Sequence, residues 1–69
     1  MEILLGQRLK ELRTERGWTQ KEAAEKLGLH SVTYLHYEKG QREPPLALLA
    51  DMAALFEVST DYLLGLTEY

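Results

Sequence analysis

Apolar residues recur along this chain at helical rather than strand spacing. Leu5, Leu9 and Leu12 lie three or four positions apart, with Arg8, Lys10, Glu11, Arg13 and Glu15 among them. The first stretch, about residues 3–16, therefore reads as an amphipathic helix, and Gly17 stands where a helix closes on a left-handed residue. Thr19-Gln20-Lys21-Glu22 has the form of a capping box. In such a box the hydroxyl accepts from the Glu22 N–H while the carboxylate reaches back to the N–H of Thr19. It opens a second helix, about 19–27, which runs through Ala23, Ala24 and Leu27 and stops at Gly28. A third is expected over about 30–39, capped by His30 or one residue later by Ser31, with Gly40 as its stop. Its Val32-Thr33-Tyr34-Leu35 run is β-branched and aromatic, but it lies at helical length between glycine stops and is assigned to helix. Arg42-Glu43-Pro44-Pro45 is a connector, because proline turns the residue before it away from helix. The fourth helix, about 46–57, gathers Leu46, Leu49, Met52, Ala53 and Phe56 on one face. Ser59 caps a short fifth, about 60–64, closed by Gly65.

The expected fold is thus all-α, a single five-helix domain over residues 1–69. Only Leu27-Gly28-Leu29 separates the second and third helices, and small Ala23 lies where the two must approach closely. These are the mechanics of a helix-turn-helix, a unit that places its second helix in the DNA major groove while the first crosses the backbone. A generic helical hairpin shares the pattern.

Composition narrows the field. With 45% hydrophobic and 28% charged residues the chain is ordinary globular sequence, not a disordered one. It has no cysteine, so disulfides and thiolate metal sites are excluded. No apolar run approaches the roughly 20 residues that cross a bilayer, and the N-terminus has no basic leader before a hydrophobic stretch. The expectation is a soluble, cytoplasmic protein without a membrane partner. A net charge of −3 argues against nucleic acid, but the distribution does not. Residues 1–42 hold all eight basic and six acidic residues, a balance of +2, whereas residues 43–69 hold five acidic residues and no basic one. One half can face phosphates while the other faces away.

Five segments, in order and nearly covering the chain, resemble the Cro/CI-type helix-turn-helix phage-repressor family. They are Leu9-Lys10-Glu11-Leu12-Arg13, Gly17 to Ala24, Leu27-Gly28-Leu29, Tyr37 to Pro44 and Phe56 to Gly65. The resemblance implies a compact lambda-repressor-like fold and a transcriptional regulator, in most members a repressor, that binds operator DNA. It places Gln20, with Thr19 beside it, at the position that contacts the DNA backbone and supports base reading. Ser31, Val32 and His36 match the base-facing positions of the recognition helix, with His30 and Thr33 as neighbouring candidates. Lys39 and Arg42 match phosphate contacts, and Arg13 with Glu38 matches an internal ion pair. The resemblance also implies a homodimer through the region of the fifth helix, with recognition helices about 34 Å apart.

The base-facing positions carry no Arg, Asn or Gln, the side chains best suited to bidentate base contacts. Val32 can touch a thymine methyl, and Ser31 can bond to several bases. His30 and His36 read as DNA-facing residues, not metal ligands, since their spacing does not bring them onto one turn. Trp18 reads as packing at the junction of the first two helices, and Tyr34 and Tyr37 as core. Asp51, Glu57 and Asp61 read as a solvated acidic face. Leu48, Leu55, Leu66 and Tyr69 exceed the needs of one helix face and, if gathered, would form a patch for self-association. Neither a nucleophile beside a base nor a glycine-rich phosphate loop is present, so no enzyme, cofactor or small-molecule substrate is indicated. The competing function is a protein-interaction or antirepressor module on the same fold.

Overall fold

A computed structural model describes residues 3–69, so the first two residues of the expected domain lie outside the described residues. Among the described residues there are five helices and no strand. They are α1 (Leu5–Glu15), α2 (Gln20–Lys26), α3 (Ser31–Glu38), α4 (Leu46–Phe56) and α5 (Thr60–Leu64). The β-branched run at 32–35 is helical. Differences from the sequence reading are confined to helix ends, where residues counted as helix serve as caps: Leu4, Arg16, Thr19, Leu27, His30, Lys39 and Glu57.

Each helix closes in the same way. After α1, α2, α3 and α5 the chain turns at a glycine with positive φ, and the next residue's N–H reaches back five positions, as from Trp18 to the Arg13 carbonyl and from Leu29 to that of Ala24. The end of α4 makes the same pair of bonds, from Glu57 to Ala54 and from Val58 to Ala53. There the left-handed residue is Glu57 at φ 57, a conformation that costs a side chain about 1–2 kcal/mol.

The core forms around two centres. Leu9, Met52, Phe56 and Leu63 are sealed from solvent where α1, α4 and α5 meet. Ala23, Ala24 and Tyr34 form the second centre between α2 and α3, and Trp18, Leu27 and Leu29 pack against both. Tyr37 belongs to the first cluster, so both tyrosines of α3 are interior. The Trp18 and Phe56 rings lie 5.8 Å apart. Arg16 sits over both rings and donates to the Phe56 carbonyl at 3.0 Å, satisfying a carbonyl that the end of α4 leaves open.

Gly6 marks a close approach between two backbones. A Cβ there would overlap the Glu38 carbonyl oxygen and lie 2.9 Å from the Tyr37 carbonyl oxygen. The start of α1 thus rests directly on the backbone at the end of α3. Leu48 and Leu55 pack against the core instead of joining a patch with Leu66 and Tyr69. The exposed large apolar residues are Ile3, Val32, Leu46, Leu66 and Tyr69. Ile3 and Leu46, with Pro44, Leu49 and Leu64, line a shallow groove of about 180 Å³.

Candidate nucleic-acid interface

The α2–α3 hairpin is built by local rules. Thr19 Oγ1 accepts from the Glu22 N–H and Glu22 Oε1 accepts from the Thr19 N–H, each at 3.0 Å. The bond from the Thr19 backbone and that from its hydroxyl hold the Glu22 carboxyl below its ordinary range. With the box closed, two of the N–H groups that could have met a phosphate at this end are already used. At the start of α3 the cap is His30, in extended backbone and without a side-chain hydrogen bond, so Ser31 is the first helical residue.

Two faces of α3 then separate. Tyr34 and Tyr37 point inward. Val32, His36 and Lys39 recur at helical spacing on the opposite side, with Val32 61% exposed. Ser31 and His30 are exposed beside them, while Thr33 is half-buried on the flank nearer the core. Arg42, beyond the helix, and Thr19 are exposed, and Gln20 is half-buried. Of the sequence-derived candidates, Thr19, His30, Ser31, Val32, Lys39 and Arg42 are therefore exposed, while Gln20, Thr33 and His36 are half-buried.

Behind that side lies a polar network. Arg13 on α1 meets Glu38 at the end of α3 through two parallel bonds, Nε to Oε2 at 2.6 Å and Nη2 to Oε1 at 3.2 Å. Its third bond runs from Nη1 to the Trp18 carbonyl at 2.9 Å. The side chains are 11% and 3% exposed, so the pair is interior and its fork geometry matters. Gln20 Nε2 donates to the same Glu38 Oε1 at 3.3 Å. The Tyr34 hydroxyl faces the pair but is buried without a partner in hydrogen-bond geometry among the described residues. Burial works to raise the Glu38 carboxyl. The bonds from Arg13 and the Gln20 amide, the nearby Tyr34 hydroxyl and the Arg13 charge outweigh it and hold the group below its ordinary range. Arg13 is correspondingly raised by its bond to Glu38. Burial, with the nearby Glu38 charge, pushes the Tyr34 phenol well up.

The electrostatics follow the fold, with one revision. Two of the eight basic residues are engaged internally, Arg13 by Glu38 and Arg16 by the Phe56 carbonyl. Arg8 stacks 4.1 Å from the Tyr62 ring centre and Lys26 lies 4.7 Å from that of Trp18. Lys10, Lys21, Lys39 and Arg42 are exposed. The basic surface is smaller than the residue count implies, and on the hairpin it is centred on Lys21, Lys39 and Arg42. Sequence reasoning did not find the Gln20–Glu38 bond, the Gly6 contact or the Arg16 clamp. No helix among the described residues is long and apolar enough to cross a membrane.

Comparison with known proteins agrees with the helix-turn-helix fold. A helix-turn-helix family matches residues 9–63. The HTH-type transcriptional regulator ImmR of Bacillus subtilis (strain 168) is 50% identical over 64 residues, which are 93% of this chain and 50% of that protein. A transcriptional regulator from Listeria innocua superposes with a TM-score of 0.88 at 28% identity, over 94% of this chain and 61% of its own. The N-terminal DNA-binding domain of SinR from Bacillus subtilis gives a TM-score of 0.79 at 32% identity, over 88% of this chain and 90% of that domain. The chain spans about half the length of the curated relatives it matches.

Proposed function

The chain belongs to the helix-turn-helix family, and from that premise we propose that it is a DNA-binding transcriptional regulator, a repressor, that reads the major groove with α3. The observation that carries the proposal is the outward face of α3. Val32, His36 and Lys39 line a helix whose other side is locked into the core by Tyr34 and Tyr37. A helix rigidly held and open on one side is what groove insertion requires. Ser31 and Val32 contact bases, with His30, Thr33 and His36 around them. Thr19, Gln20, Lys39 and Arg42 contact the backbone. Val32 is suited to thymine methyl groups. Because this face carries few strong base-reading groups, we expect specificity to come from two copies acting together. A homodimer through the α5 region sets two such helices about 34 Å apart, one turn of the duplex. The setting is the cytoplasm.

The test is a salt titration of binding to a randomised duplex pool, with retained sequences read afterwards. The expected result is affinity that falls steeply with salt and an enriched palindrome. Lys39→Ala and Arg42→Ala should each flatten the logarithmic salt slope by about 0.9 per bound copy, the value for one lost phosphate contact, and so by about twice that for a dimer. Absence of salt-sensitive binding at low ionic strength would overturn the proposal and favour a protein-interaction module.

A further inference from the structure

We propose that Glu38 is a positioning residue for DNA binding, fixing the Gln20 amide so that one Nε2 hydrogen is committed inward and the other is presented to a backbone phosphate. The inference rests on the docking face proposed above. It begins from the bond between Gln20 Nε2 and Glu38 Oε1 at 3.3 Å. An ionised carboxylate only accepts hydrogen bonds, whereas a glutamine amide has a donor end and an acceptor end. Glu38 is kept ionised by the fork of Arg13. Of the two ends of the Gln20 amide, therefore, only the NH₂ end can face it. The choice of amide orientation, left open for an exposed glutamine, is made here by the charge behind it.

Glu38 itself cannot reach DNA, because its side chain is 3% exposed. It acts through Gln20, which is only half-buried and stands at the first position of α2. The arrangement joins three helices at one half-buried side chain, with Arg13 from α1, Glu38 from α3 and Gln20 from α2. The amide donates inward with one hydrogen and keeps a second hydrogen and its carbonyl oxygen for a ligand. Without Glu38 the same side chain samples both flips and several rotamers, and only part of that population presents a donor at the right place.

Gln20→Ala, Glu38→Asp and the double variant of the full chain test this, with duplex affinity and thermal unfolding measured on each. Aspartate keeps the charge for Arg13 but withdraws the carboxylate by one methylene from Gln20. Loss of one hydrogen bond to a charged acceptor such as a phosphate corresponds to roughly 10–100-fold in affinity per bound copy. Gln20→Ala should therefore weaken binding by about that factor, Glu38→Asp should do so while still folded, and the double variant should be no weaker than either. In the unaltered free chain, nuclear magnetic resonance should show the two Gln20 Nε2 protons more widely separated than in a free amide, with collapse of the separation in Glu38→Asp. Additive losses, or Gln20 protons like those of a free amide in the unaltered chain, would overturn the positioning role. The second readout holds even where Glu38→Asp does not fold. Weakened binding in Lys39→Ala and Arg42→Ala with none in Gln20→Ala also overturns it but leaves the docking face standing. No salt-sensitive binding by the unaltered chain removes both.

Discussion

Gly6→Ala sets two well-measured effects against each other. Gly6 lies in the first turn of α1, and replacing a helical glycine by alanine ordinarily stabilises by up to about 1 kcal/mol. The space for the methyl group is absent. The added carbon would overlap the Glu38 carbonyl oxygen and sit 2.9 Å from both the Glu38 carbonyl carbon and the Tyr37 carbonyl oxygen. Non-bonded carbon settles at roughly 3.5–4.0 Å, so α1 has to withdraw from α3 by about an ångström. The obstacle is backbone at a helix end and cannot rotate aside. Overpacking of this kind costs about 1–3 kcal/mol and occasionally more. The clash therefore wins, with a net loss of about 1–2 kcal/mol. For a domain of this size that is a fall in Tm of roughly 4–16 °C. Urea unfolding followed by circular dichroism measures it, with Gln7→Ala, an exposed neighbour on the same helix, as control. A Gly6→Ala variant as stable as the unaltered chain, with unchanged m-value, would refute the close approach of α1 to α3.

Glu57→Gly relieves the left-handed end of α4 and should stabilise by roughly 0.5–1 kcal/mol in the same urea assay; a loss would show that the Glu57 side chain contributes there. Tyr34→Phe removes a hydroxyl without a well-formed bond, so its unfolding free energy should change by less than about 1 kcal/mol, and a loss above about 2 kcal/mol would show that the hydroxyl is bonded after all. Glu38 is held below its ordinary value of 4.5 in the folded chain, so its contribution is full above that value and is lost as pH falls through the depressed one. The stability gap between the unaltered chain and Glu38→Gln should be wide at pH 7 and shrink as pH falls below 4.5 and through the depressed value, and a gap independent of pH would contradict the pairing.

Most of the fold was written in local signals. The capping box at Thr19, the glycine stops and the leucine spacing of α1 are short-range patterns, and each helix came within two residues of its observed ends. What could not be read was long-range. Gly6 looks like any glycine near a helix start until α3 lies across it. Arg16 looks like any surface base until the end of α4 arrives 40 residues later with an open carbonyl. Glu57 gave no hint of a left-handed turn, because the usual signal is glycine and the turn is imposed by Val58 and the cap of α5. At the candidate interface, helical spacing on α3 was enough to separate Val32 and His36 from Tyr34 and Tyr37. Gln20 was singled out for what it would touch outside, and nothing in its neighbours shows the carboxylate 18 positions away that it touches inside.

The unequal sharing of charge between the two halves of the fold has a consequence for how the molecule searches. For a body proposed to dock on a polyanion, a net charge of −3 is a handicap at a distance. Five carboxylates and no cation in residues 43–69, set against Arg8 over Tyr62 and Arg16 at the end of α4, leave the α4–α5 side the more acidic one. Only within about a Debye length, roughly 8–10 Å, does the opposite side prevail, and the torque from the two halves turns the domain to face the duplex. Contact is thus permitted in one orientation and held weakly unless the sequence supplies more. A protein docking as proposed is expected to leave wrong sites quickly, so that its selectivity lies in how long it stays.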